Sequence, residues 1–309
     1  MSNFIRNLTN CKACPRECQV NREQGETGYC FSTKQIKIGS ICIHKGEEPL
    51  LSGSLGMGNI FFNHCNLQCI YCQNHQISRN DHKALTIYTD LKEVIIAIEK
   101  ILSQGVKILG LVSPSHRLYQ AQTIIQALHQ HGHEPTIVLN TNAYDKVENL
   151  IKLKEDVQVY LPDLKYSDNK LAWELSGADN YVAVAQAALK EMFGQKGTEI
   201  ATDEQGIIKS GLIIRHLVLP GYVENSKQCL RFIARELSPQ VHISLMSQYT
   251  PTPAVRHHPY LSRKLSVAEY EEVLEEMEKL GLDKGWVQEL SSAGHYQPDF
   301  ALEHPFEDE

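Results

Sequence analysis

From about residue 57 onward the chain alternates between strand-like and helix-like segments, and this restricts the fold more than any other feature. Residues 59–62 read as a strand. Leu91–Leu102 reads as a helix, with Thr89 or Asp90 as cap and Val94, Ile95, Ile98, Ile101 and Leu102 recurring at helical spacing. Gly105 closes it. A buried strand at 106–112 precedes a helix at 117–130, a strand at 136–139 and a helix from about 145 to 154. A strand at 157–161 leads through a loop at 162–165 into helical residues up to about 193. A strand at 212–219, a helix at 225–237 and a strand at 241–245 follow. Ser266 opens the last helix, with Glu269 completing a capping box and Val267, Tyr270, Val273, Leu274, Met277 and Leu280 on one face. Asp203-Glu204-Gln205-Gly206 marks a small hairpin insertion within 199–209. Repeated strand–helix units demand a parallel sheet with crossover helices. Six units predict an α/β fold, a partial (βα)6 TIM-like barrel whose reactive groups lie at the C-terminal ends of the strands. The expected organisation is a cysteine-rich N-terminal extension (1–55), the partial barrel (56–290) and a C-terminal tail (291–309).

Nine cysteines supply the chemistry. Cys65, Cys69 and Cys72 lie in one loop after the first strand, spaced C-x3-C-x2-C. Three thiolates are one short of the four that close an ordinary iron–sulfur cluster, and they leave one iron of a [4Fe–4S] cube open. Open metal positions are what catalytic sites keep. A structural zinc loop or three unrelated core cysteines is the competing reading. Cys11, Cys14, Cys18 and Cys30 form a second group of four, enough for a closed shell. Its C-x2-C-x3-C-x11-C spacing fits neither a standard zinc ribbon nor a ferredoxin run, so structural zinc, an auxiliary iron–sulfur cluster and no metal all stand. Gly25 and Gly28 let the backbone turn back toward the thiolates. Cys42 and Cys229 read as small buried hydrophobes.

A net charge of −7 with scattered Lys and Arg gives no basic face for a nucleic acid. The segment 1–10 is polar, without the apolar core of a signal peptide, and the apolar runs at 94–98 and 108–112 are too short to span a bilayer. A cytoplasmic location without membrane association is expected. In a reducing compartment, clustered cysteines favour metal binding over disulfides.

Polar residues recur where strands should end: Ser113 to His116, Asn140 to Asn142, Asp163 to Lys165, Arg215 and His216, and Gln248 with Tyr249. Each alone is an ordinary loop start. Together, facing a cysteine loop, they supply acceptors for an ammonium group and ribose hydroxyls and donors for a carboxylate.

The cysteine loop CNLQCIYC resembles the signature of the radical S-adenosylmethionine (SAM) superfamily. CPREC with Val20-Asn21-Arg22, Gly46-Glu47-Glu48-Pro49, Leu51-Ser52-Gly53, residues 56–62, CQN at 72–74, YLPDLKY at 160–166, RHLVLPG at 215–221 and SQYTP at 247–251 resemble one branch. It is that of the functionally unassigned iron–sulfur homologues of pyruvate formate-lyase activating enzyme. The resemblance covers nearly the whole chain. It implies SAM chelated to the open iron of a [4Fe–4S] cluster at Cys65, Cys69 and Cys72. It also implies reduction by an external donor such as flavodoxin or ferredoxin, and cleavage to a 5′-deoxyadenosyl radical that abstracts hydrogen, as in activation of a glycyl-radical enzyme. By resemblance Tyr71 lies near the adenine and Lys165 and Arg215 near the SAM carboxylate or ribose. Ser113, Ser115, Asn140, Asn142 and Gln248 complete the expected cofactor contacts. The sequence departs from the pattern twice. The usual Gly-Gly-Glu segment is replaced by Ser113-Pro114-Ser115-His116, and His64 stands where activases have Gly. Modification of a small metabolite or peptide is the alternative within the same chemistry. A non-catalytic iron–sulfur electron carrier or redox sensor is the alternative outside it.

Overall fold

The structure, a computed structural model, describes residues 8–292 and 297–306. The expected segments 1–55 and 291–309 therefore lie partly outside the described residues. Nine strands among the described residues join one sheet. They are β1 (Ile38–His44), β2 (Met57–Phe62), β3 (Ile108–Val112), β4 (Thr136–Thr141), β5 (Val159–Pro162), β6 (Ala201–Thr202), β7 (Ile208–Leu217), β8 (His242–Met246) and β9 (Gly285–Val287). The order is β1-β2-β3-β4-β5-β7-β8-β9, with β6 hydrogen-bonded to β7. From β2 to β9 every neighbouring pair along this path is parallel. β1 runs antiparallel to β2, and β6 antiparallel to β7.

The helices are α1 (Pro49–Ser52), α2 (His75–Ser78), α3 (Leu91–Leu102), α4 (Leu118–Gln130), α5 (Val147–Lys152), α6 (Asn169–Ser176), α7 (Tyr181–Lys196), α8 (Val223–Phe232) and α9 (Val267–Lys279). Asp90 starts α3 by accepting from the Lys92 and Glu93 amides. Ser266 and Glu269 form the capping box of α9. The helical stretch before residue 193 is two helices. α6 ends at Gly177, whose φ of 66° is left-handed. No helix among the described residues is long and apolar enough to cross a membrane.

β2, β3 and β5 are buried along their whole length, as parallel strands covered on both faces must be. The main apolar cluster joins β2, β3 and β4 to α3, α4 and α7 through Ile60, Leu109, Leu139, Ile98, Ile124 and Leu189. A smaller one, with Met57, Ile108, Val138, Leu161 and Ile213, packs on alternate residues of the same strands. Two strands lie outside the six-unit pattern. β1 adds the end of the cysteine-rich segment to the sheet edge, and β9 adds a seventh parallel strand. β1 is followed only by the four-residue α1, and β9 is three residues long with no α-helix after it among the described residues, so neither forms a recognisable strand–helix unit. The hairpin within 199–209 is present as β6 and the start of β7.

Candidate functional site

The cysteine loop leaves the C-terminal end of β2 through His64, whose φ of 65° is left-handed. The same conformation comes to glycine at no steric cost, which gives a physical reason for glycine at this place in the activases. Here the imidazole compensates: its Nδ1–H donates to the Arg79 carbonyl at 2.8 Å. Asn80 then pins Cys65, accepting from its amide at 3.1 Å and donating to its carbonyl at 2.9 Å. The loop is sewn to α6 by the Gln68 and Ile70 amides, which donate to the carbonyls of Ser176 and Leu175.

Every sulfur of this loop accepts a hydrogen bond. Cys65 Sγ accepts from the Leu67 amide and from Asn142 Nδ2, each at 3.4 Å. Cys69 Sγ accepts from the Ser176 hydroxyl at 2.9 Å, and Cys72 Sγ from the Ser78 hydroxyl at 3.3 Å. Burial nevertheless pushes the Cys65 thiol up to about 12, and burial beside Cys69 raises Cys72. Burial thus disfavours the thiolate at Cys65 and Cys72, which a cationic centre would offset in making them ligands. The donors already aimed at the sulfurs match the surroundings of an iron–sulfur cluster.

The three sulfurs line one cavity of about 450 Å³. Of the cofactor residues expected from the sequence, Tyr71 of the cysteine loop and the strand-end residues Ser113, Asn140, Asn142, Lys165, Arg215 and Gln248 line it too. Ser115 does not. It is buried with its hydroxyl 3.1 Å from that of Thr141. Ser113 has a φ of 54°, a left-handed turn placed where the superfamily's motif has glycine. Lys165 Nζ pairs with Asp163 at 2.6 Å. Burial opposes its charge, but Asp163 and the Cys69 and Cys72 sulfurs outweigh that and raise its pKa. Tyr71 is not a free platform. Its hydroxyl lies 2.7 Å from that of Tyr166, which lies 2.5 Å from the Ser176 hydroxyl that donates to Cys69.

Sequence reasoning passed over the acidic side of the cavity. Arg215 Nε donates to Glu48 at 2.8 Å, and its terminal nitrogen donates to both Glu48 and Glu47. Burial raises the Glu47 pKa, but Arg215 and His44 reverse this and hold it down at about 2. Asn59 adds a 2.7 Å bond to Glu47. The guanidinium expected at SAM is thus held by two carboxylates from the segment between β1 and α1. Gly46-Glu47-Glu48-Pro49 was the available signal, although nothing in its spacing places it opposite β7. Trp286 of β9 also lines the cavity.

Beyond this cavity, Cys11, Cys14 and Cys30 are buried and Cys18 half-buried. Gly28 is needed sterically, because a Cβ there would stand 2.5 Å from that of Cys18. Among the described residues no three His, Cys, Asp or Glu side chains gather closely enough to hold a single metal ion. This holds for the loop of Cys65, Cys69 and Cys72 as for the four N-terminal cysteines.

No protein-family model matches the chain. The uncharacterized protein MJ0674 of Methanocaldococcus jannaschii is 31% identical over 288 residues, covering 89% of this chain and 76% of that protein. The FeFe-hydrogenase maturase HydG of Carboxydothermus hydrogenoformans superposes with a TM-score of 0.51 at 13% identity, over 73% of this chain and 51% of that one. A domain of pyruvate-formate lyase-activating enzyme from Bacteroides vulgatus matches with a TM-score of 0.39 at 16% identity, over 56% of this chain and 93% of that one. The chain belongs to the same family as the archaeal protein, and it shares the fold of the hydrogenase maturase HydG.

Proposed function

We propose that this chain is a radical SAM enzyme, a partial barrel that holds a [4Fe–4S] cluster at Cys65, Cys69 and Cys72 and binds SAM in the cavity beside it. The observation that carries the reading is the convergence on one cavity of three hydrogen-bonded cysteine sulfurs, Tyr71 beside them and six strand-end polar residues. When bound, the cluster and SAM supply one-electron reductive cleavage of the sulfonium and a 5′-deoxyadenosyl radical that takes a hydrogen atom from substrate. The protein's share is positioning and dryness. Lys165, which pairs with the single carboxylate of Asp163 where Arg215 is held by both Glu47 and Glu48, is the cation for the SAM carboxylate. Asn140, Asn142 and Asp163 are the acceptors for the ammonium group and ribose hydroxyls. Tyr71, fixed through Tyr166, walls the adenine side.

Activation of a glycyl-radical protein is the finer reading, resting on the resemblance of the motifs to the activases; a peptide or small metabolite is the alternative target. A flavodoxin or ferredoxin in the cytoplasm is the proposed donor. The four cysteines at 11–30 are a second metal centre in this reading. The test is anaerobic reconstitution with iron and sulfide, spectroscopy of the reduced protein with and without SAM, and an assay for 5′-deoxyadenosine. SAM should alter the electron paramagnetic resonance spectrum, and Cys69→Ala should abolish cluster absorbance and SAM cleavage together. A full cluster with full activity in Cys69→Ala would reject the assignment. A reduced spectrum indifferent to SAM would favour the electron-carrier alternative.

A further inference from the structure

The segment 297–306 bounds the cavity from a distant part of the chain. The sheet ends at β1 on one side and at β9 on the other. His44 of β1 and Trp286 of β9 nevertheless line the same cavity as the three loop cysteines, and Pro298 and Phe306 line it with them. A segment that follows β9 in the chain is thus part of the cavity wall. It is seated on β1, β2 and β3, not on β9.

Two aromatic rings hold it there. Phe300 is 1% exposed and shares one apolar cluster with Cys42 of β1, Phe61 of β2, Val112 of β3 and Ile77 of α2. Its ring meets that of Phe61 edge-on at 5.1 Å. Phe306 lies 5.9 Å from Phe61 and 4.1 Å from the His44 ring. Such contacts hold by buried area and tolerate release and return better than a directional network does. Gln76 supplies a polar clasp. Its side chain donates to Asp299 at 2.8 Å and accepts from the Phe300 amide at 2.8 Å. Gln76 sits on α2, the helix that leaves the cysteine loop, two residues before the Ser78 hydroxyl that donates to Cys72. Asp299 also folds the segment on itself. It accepts from the Ala301 and Leu302 amides and donates to the Pro305 carbonyl, each at 3.0 Å. A short loop bonded to itself in this way moves as a unit. On its outer side Ala301 to His304 are exposed. One layer of chain therefore stands between the cavity and water at this place.

We infer that residues 297–306 form a strap that closes this side of the cavity and sorts substrates by size. A small molecule reaches the cysteine loop with the strap seated, and a polypeptide only once Phe300, Phe306 and Gln76 release it. The sorting of substrates rests on the radical SAM reading; the seating of the strap does not. Binding of a glycyl-radical protein must then favour the lifted strap over the seated one, because a ligand shifts an equilibrium only by its difference in affinity for the two states. A small metabolite needs no such displacement.

The test uses the reconstituted full chain carrying Trp173→Phe, which leaves Trp286 as the single tryptophan. Its fluorescence is quenched with acrylamide, a small probe, and with a nitroxide-labelled glycine–serine peptide, a flexible polypeptide probe. With the strap seated, acrylamide should quench Trp286 and the peptide should not. Phe300→Ser/Phe306→Ser should make the peptide quench severalfold more strongly and leave acrylamide quenching little changed. Peptide quenching as strong in the parent as in the double variant would overturn the strap. So would a double variant, folded by circular dichroism, that the peptide still fails to quench. A proportional rise with both probes would overturn it as well, since that marks a loosened chain and not a lifted strap. If the double variant does not fold, Gln76→Ala is read by the same criteria. Failure of the radical SAM reading looks different: the strap still gates the peptide, yet no 5′-deoxyadenosine forms.

Discussion

Arg215, Glu47 and Glu48 form a buried charge cluster in the cavity wall that the motif around Arg215 does not show. Read from the motif, Arg215 faces SAM; in the fold it is saturated by two carboxylates whose side chains are almost wholly buried. Arg215→Ala should therefore act first on stability, costing about 3–5 kcal/mol because two buried anions lose their cation. Arg215→Lys should recover only part of this, since an ammonium cannot make the two-pronged contact with Glu48. Urea melts of the three proteins beside SAM titrations check this. An Arg215→Ala protein of native stability with weakened SAM binding would restore the motif-based role. The histidines give a pH signature. His64 and His216 are each held down at about 4 by burial, and burial likewise drives His116 well below its ordinary value. His216 is fixed neutral by donating from Nδ1 to the Leu164 carbonyl at 2.6 Å and accepting from Ser226 at 2.8 Å. The unfolded chain takes up these protons near the ordinary 6.5 and the folded one refuses them. Stability is therefore complete above about 6.5 and falls as pH drops toward about 4. Melting temperatures measured between those limits should decline, starting above the range in which carboxylates titrate. A flat profile down to pH 5 would contradict neutral burial.

Elements carried more of the sequence's information than single residues did. α3 and α9 matched their expected spans because their caps, Asp90 and the Ser266–Glu269 pair, are local chemistry. The buried strands showed as apolar runs for the same reason. What local pattern could not show was which distant segment each strand end would meet. Asn142 donates to Cys65 across 77 residues, and Ser176 donates to Cys69 across 107. Ser176 sits at the last residue of α6 because Gly177 takes a left-handed φ and ends the helix there. Its hydroxyl thereby bridges Tyr166 and the Cys69 sulfur. Hydrogen bonds to ligand sulfurs stabilise the reduced, more negative cluster. Ser176→Ala should shift the midpoint potential of the reconstituted cluster downward while leaving iron content unchanged. An electron paramagnetic resonance redox titration measures it, and an unmoved potential would mean that the hydroxyl serves the tyrosines alone.

At the scale of the molecule, the sheet gathers its chemistry at one end and then extends past the six expected strands. The six-unit reading located the cavity, because parallel strands present their C-terminal ends together. It missed β1 and β9 because an antiparallel edge strand and a three-residue strand leave almost no periodic trace. Both matter to the site. β1 leads into Glu47 and Glu48, and β9 brings Trp286 into the cavity wall. The last prediction concerns how β9 is held. It pairs with β8 through Gly285, opposite Ile243. Gly285 has a φ of 116°, and a Cβ there would stand 2.0 Å from the Ile243 carbonyl oxygen and 2.6 Å from its nitrogen. Backbone cannot give way as a flexible side chain does, and a non-glycine residue at positive φ costs roughly 1–2 kcal/mol before any clash. Gly285→Ala should therefore unpair β9 rather than unfold the chain, because the β2-to-β8 core does not depend on it. Stability should fall by about 2 kcal/mol, at the modest end for a backbone effect. With Trp173→Phe as background, Trp286 would report the change by a red-shifted fluorescence as it leaves the cavity wall for water. SAM affinity should weaken in parallel while Cys65, Cys69 and Cys72 still bind iron. An unshifted emission in Gly285→Ala would show that β9 accommodates the methyl group, and that the cavity wall is set by something other than this strand pairing.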